Sequence, residues 1–95
     1  MPYINDDMRE EVDGDISNIL EYVDSVKKDG NKIDGLINYI ITKIVVESFK
    51  PLSYSTGSDM IKTLECSKLE IYRRLLSPYE NNAVERNGDL ACFVI

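Results

Sequence analysis

Three short pieces near the carboxyl end carry residue types that could do chemistry: Tyr72-Arg73-Arg74, Pro78-Tyr79-Glu80 and Asn87-Gly88-Asp89. Tyrosine rings stack on a nucleobase, guanidinium groups grip a phosphate through paired N–H donors, and a carboxylate or amide reads a base edge. That combination suits the binding of a phosphorylated, base-containing ligand. The same arginines also suit ion pairs one helical turn away, such as Glu70 with Arg73 or Arg74. Tyrosine is the abundant aromatic, with six copies against two phenylalanines and no tryptophan.

Other chemistries lack their parts. There is no histidine, no Cys-x-x-Cys, no glycine-rich phosphate loop and no serine-centred nucleophile elbow, so metal-assisted and covalent catalysis have no visible machinery. The acids Asp6, Asp7, Glu10, Glu11, Asp13 and Asp15 lack the ordered spacing of a calcium loop and read as a solvated helix start, or as a protein-facing or DNA-mimicking acidic face. A non-enzyme without cofactor or metal is the expectation. Cys66 and Cys92 are expected to be buried free thiols.

The elements that position these residues are helical. Met8, Val12, Ile16, Ile19, Leu20, Val23 and Val26 recur at steps of three and four and predict a helix over about 7–28, with acids at its start and Lys27, Lys28 and Gly30 at its end. Gly14 is a weak point where that helix could break. A second helix is expected over 34–49, capped by Asp34 and stopped by Pro51; its β-branched content also fits a strand, but its length favours a deeply buried helix. A third is expected over 59–77, with Ser58 as cap, Ile61, Leu64, Leu69, Tyr72, Leu75 and Leu76 as its apolar face, and Pro78 ending or kinking it. Residues 78–95 then read as a turn-rich segment and an apolar extended tail, Leu90 to Ile95, that docks on a core or on a neighbouring subunit.

These elements compose an all-α fold: a three-helix antiparallel bundle-like protomer with a short carboxyl-terminal extended tail, in one domain over 1–95. A chain of 95 residues hides only about 60–65% of its unfolded surface, so further subunits would help it, and an oligomer is expected. The net charge of −6 arises almost wholly in residues 1–30, which disfavours duplex nucleic acid as a partner. No apolar run approaches a membrane span and the amino terminus lacks the order of a signal peptide, so a cytosolic address is expected.

A set of pieces spread over the chain resembles a family of short uncharacterised-domain proteins of phages and prokaryotes. They are Met-Pro-Tyr-Ile at 1–4, Leu-Ile-Asn-Tyr-Ile-Ile-Thr-Lys at 36–43, Leu-Glu-Cys-Ser-Lys-Leu-Glu-Ile-Tyr-Arg-Arg at 64–74, Pro-Tyr-Glu at 78–80 and Asn-Gly-Asp at 87–89. The tail from Leu90 extends beyond the pattern. The resemblance reaches to small oligomeric phage sponge proteins of the anti-CBASS kind, which bind nucleotide signals of antiphage defence and withhold them from effectors. It implies a homo-oligomer, a tetramer before a dimer or hexamer, in the host bacterial cytosol. Its partner would be a cyclic di- or oligonucleotide or related nucleotide signal, bound at subunit boundaries without turnover. Carried over by position, the implied ligand-binding residues are Pro2, Tyr3, Asn38, Tyr39, Lys43, Tyr72, Arg73, Arg74, Tyr79, Glu80, Asn87 and Asp89. An acidic helical interaction module or inhibitor, acting through the amino-terminal helix or the tail, is the alternative.

Overall fold

The computed structural model describes residues 4–93, which are helical almost throughout and contain no strand. The chain divides into two units, Met1–Ile44 and Val45–Ile95.

In the first unit, helix α1 spans Asp6–Lys28. Its cap is Asn5, whose side-chain oxygen accepts the Met8 N–H at 2.9 Å. Asp6 and Asp7 fill the first turn and Lys27 and Lys28 the last, each opposite in sign to the nearby end of the helix dipole. Gly30, at φ 84°, turns the chain out after the helix and donates its N–H to the Lys27 carbonyl at 2.9 Å. Gly14 does not break α1, because the continuous hydrogen-bonded ladder on either side outweighs the roughly 1 kcal/mol that a single glycine costs.

Helix α2 spans Asp34–Ser48, beginning in the first unit and ending in the second. Length wins over β-branched composition, as expected. Asp34 is its first helical residue rather than its cap: the Ile37 N–H bonds to the Ile33 carbonyl at 2.9 Å, so Ile33 holds the capping position and Asp34 serves the dipole. The helix is not deeply buried. Leu36, Ile37, Ile40 and Val45 are half-buried, while Ile41, Ile44 and Val46 are exposed.

In the second unit, helix α3 starts at Tyr54, five residues before the expected Asp59. The cause is a reciprocal capping box. Ser53 Oγ accepts the Thr56 N–H at 3.1 Å and Thr56 Oγ1 accepts the Ser53 N–H at 2.8 Å, which satisfies two otherwise orphaned donors. Ser58, the expected cap, therefore lies inside the helix.

The other end departs further. Helix α3 (Tyr54–Ile71) passes into a π turn, Tyr72–Leu76, and then into helix α4, Ser77–Asn87. Residues 78–87 are thus helical where a turn-rich segment was expected, and Pro78 does not end the run. It sits in the first turn of α4, directly after the wider π ring. Gly88, at φ 83°, ends α4, and Ala91–Phe93 form a single 3-10 turn.

Among the described residues Val23, at 5% exposure, is the one that is buried. The apolar faces foreseen for α1 and α3 form as helical stripes but remain open: Ile61 is 67% and Leu75 70% exposed. Leu90 and Phe93 are exposed as well, as is Cys92, and Cys66 is half-buried. Both cysteines are free, but neither is the buried thiol expected. Val94 and Ile95 lie outside the described residues.

Candidate functional site

The π turn carries three of the expected site residues on consecutive positions, and α3 supplies the group that organises two of them. The carboxylate Oε1 of Glu70 accepts from Arg73 at 2.8 Å and from Arg74 at 3.4 Å. Glu70 precedes the arginines by three and four residues, which places all three on one helical face. Its side chain is only 14% exposed, whereas the guanidinium-bearing chains of Arg73 and Arg74 are 68% and 63% exposed. Partial burial pushes the Glu70 carboxyl upward, but hydrogen bonding and charge from Arg73, then from Arg74, outweigh it and hold the group below its ordinary value.

Two cations thus share one carboxylate oxygen. Each arginine presents five N–H donors, so among the described residues most of those donors face outward without a protein partner.

A second link crosses from the π turn to α4. The Tyr72 hydroxyl donates to Glu80 Oε2 at 3.1 Å. The hydrogen bond to Glu80 and the carboxylate charge, with a smaller contribution from desolvation, raise the Tyr72 phenol above its usual value. Tyr79 projects elsewhere, lining a shallow cavity of about 390 Å³ with Asn82, Glu85 and Arg86. Asn87 closes α4, and Asp89 accepts the N–H of Leu90 at 2.8 Å. Neither hydrogen-bonds to Tyr72, Arg73, Arg74 or Glu80, so the third motif stands apart from the first two in its bonding.

The α2 residues form their own small group in the first unit. Lys43 Nζ lies 5.7 Å from the centre of the Tyr39 ring, within range of a cation–π contact. Asn38 Oδ1 accepts from Thr42 Oγ1 at 3.3 Å. Tyr39 also lines a cleft of about 480 Å³ with Ile19 and Tyr22 of α1 and Leu36 and Ile40 of α2. Pro2 and Tyr3 lie outside the described residues.

Sequence reasoning placed Glu70 as an ion-pair partner and left it out of the site. Its spacing to Arg73 and Arg74 was the signal, and the structure makes it the residue that sets the two guanidinium groups side by side. The amino-terminal acids stay on the exposed face of α1, and among the described residues no three acidic or cysteine side chains converge on a point that would hold a metal ion.

With this geometry in hand, comparison with known proteins gives one result. A family model described as Domain of unknown function (DUF6899) matches residues 1–90. The chain belongs to that family. No curated protein and no solved structure matches it. The matched stretch takes in every expected site residue, from Pro2 to Asp89, and stops at residue 90, so the DUF6899 pattern covers α1 to α4 but not the 3-10 turn at Ala91–Phe93. Among the described residues no helix is long and apolar enough to cross a membrane.

Proposed function

We propose that the protein is a binder without turnover, a phage immune-evasion protein that sequesters a cyclic oligonucleotide or related nucleotide signal through the π turn and the start of α4. The observation that carries this reading is the pair of arginines held beside one another by a single, largely covered carboxylate oxygen. The two guanidinium groups share one carboxylate oxygen of Glu70, and their outward donors match the geometry of phosphate oxygens. Tyr72 supplies a ring for a base on the same turn as the arginines. The π turn itself fits the reading, since such turns inside α-helices are frequent at functional sites.

Titration calorimetry against cyclic dinucleotides, cyclic trinucleotides and cyclic ADP-ribose isomers tests the proposal. Binding is expected for at least one, and Arg73→Ala or Arg74→Ala is expected to weaken it by about 1.5–3 kcal/mol, the range for a hydrogen bond to a charged group. Silence across the panel at micromolar concentration would refute it. Unchanged affinity in both variants would move the site elsewhere.

A second reading, a self-associating or partner-binding helical module, rests on the exposed apolar stripes. Helices with open apolar faces gain stability chiefly by packing against other elements. Light scattering of the wild type and of Ile61→Asp separates the cases: loss of mass in the variant marks the α3 stripe as a contact, and a wild-type monomer removes association from the proposal.

A further inference from the structure

The Tyr72–Glu80 hydrogen bond joins residues eight positions apart, a separation that a regular helix does not align. At about 100° per residue, eight steps leave two side chains roughly 80° apart around the axis. Seven steps leave them about 20° apart, on one face. The π turn makes up that difference. Its hydrogen-bonded ring holds one residue more than an α turn, as seen where the Ser77 N–H reaches back five residues to the Tyr72 carbonyl. Across Tyr72–Leu76 the chain therefore spends one residue without advancing its α register, and residue 80 falls where residue 79 of an uninterrupted helix would lie.

The position of the π turn has a cause in the sequence. Pro78 has no N–H to donate to the Arg74 carbonyl four residues back, and in a regular helix its ring would collide with that carbonyl. The wide ring closes at Ser77, immediately before the proline, and so relieves that collision where it would occur.

From this arrangement we infer that Pro78 is a positioning residue: by holding the one-residue register shift of the π turn, it brings the Tyr72 hydroxyl onto the Glu80 carboxylate and so fixes the ring that precedes the arginine pair in the chain. Its relevance to ligand binding rests on the function proposed above. The geometric claim does not, and it is tested without ligand.

The experiment follows each tyrosine ring by isotope-labelled tyrosine NMR through an alkaline titration of the full chain. In the wild type, Tyr72, assigned by its loss in Tyr72→Phe, is expected to ionise later than an ordinary tyrosine, and Glu80→Gln is expected to abolish that delay. Pro78→Ala is expected to abolish it as well, because a regular helix rotates residue 80 away from residue 72. Removing Leu75 from the Pro78→Ala chain restores the seven-step relation without a π turn, so the delay is expected to return. Persistence of the delay in Pro78→Ala would overturn the inference, as would its absence in the deletion variant. Should Pro78→Ala alone fail to fold, the deletion variant decides, since it keeps the facing of α4 relative to α3 found in the wild type. A variant that loses the delay while calorimetry shows no ligand in any chain would leave the positioning role standing and remove the nucleotide reading.

Discussion

Substitution of Ser53 by alanine tests most directly how the second unit is built. Ser53 Oγ accepts the Thr56 N–H at 3.1 Å, and Thr56 Oγ1 accepts the Ser53 N–H at 2.8 Å while donating to the Pro51 carbonyl at 3.0 Å. Removing the serine hydroxyl deletes a helix cap, which costs about 1 kcal/mol. For a domain of this size that lowers the melting temperature by about 4–8 °C. Thr56→Val, which keeps the shape and removes the hydroxyl, should cost about as much. The double variant should lose less than the sum, because each residue is the partner of the other. Ser58→Ala provides the control: it lies within α3, its side chain makes no hydrogen bond among the described residues, and its effect should stay within about 0.5 kcal/mol. Thermal denaturation followed by circular dichroism, at one fixed protein concentration so that any association is held constant, reads all four. A loss in Ser58→Ala with none in Ser53→Ala would refute the capping box and return the helix start to Asp59.

Further outcomes are expected. Gly14→Ala should stabilise the chain by up to about 1 kcal/mol, because Gly14 lies within α1 at negative φ and nothing stands within 4 Å of an added Cβ; a destabilisation in chemical denaturation would show that the site needs the glycine. The folded Glu70 carboxyl is held below its unfolded value near 4.5, so its ion pairs contribute fully above that pH and lose their contribution as pH falls through the lower folded value. An acid series of stability measurements should therefore flatten in Glu70→Gln, and an identical acid profile in the two chains would contradict the shared-oxygen geometry. Exposed Cys92 should react with a maleimide in the native protein faster than half-buried Cys66, as read by mass spectrometry after digestion; the reverse order would refute the placement of the last turn.

How much was legible in the sequence follows from the range of the forces involved. The stripes of Val12, Ile16, Ile19 and Val23, the dipole-matched charges of α1 and the left-handed Gly30 are local features, each decided within one or two turns, and so the all-helical class and α1 were readable. The Glu70–Arg73–Arg74 cluster was readable for the same reason, being a matter of three- and four-residue spacing. The start of α3 was missed because a threonine at the third position completes a capping box less recognisably than glutamate or glutamine, and Ser58 offered a competing cap. The fate of Pro78 was left open between a stop and a kink, because proline removes one N–H donor and crowds the preceding turn. Only the folded backbone decided between stopping and widening by one residue, and that choice turned a supposed tail into α4. It also joined Tyr72 to Glu80, a pairing that a fixed 3.6-residue period conceals. The depth of the apolar faces was likewise beyond the sequence, since periodicity reports which side chains share a stripe and says nothing of what covers it.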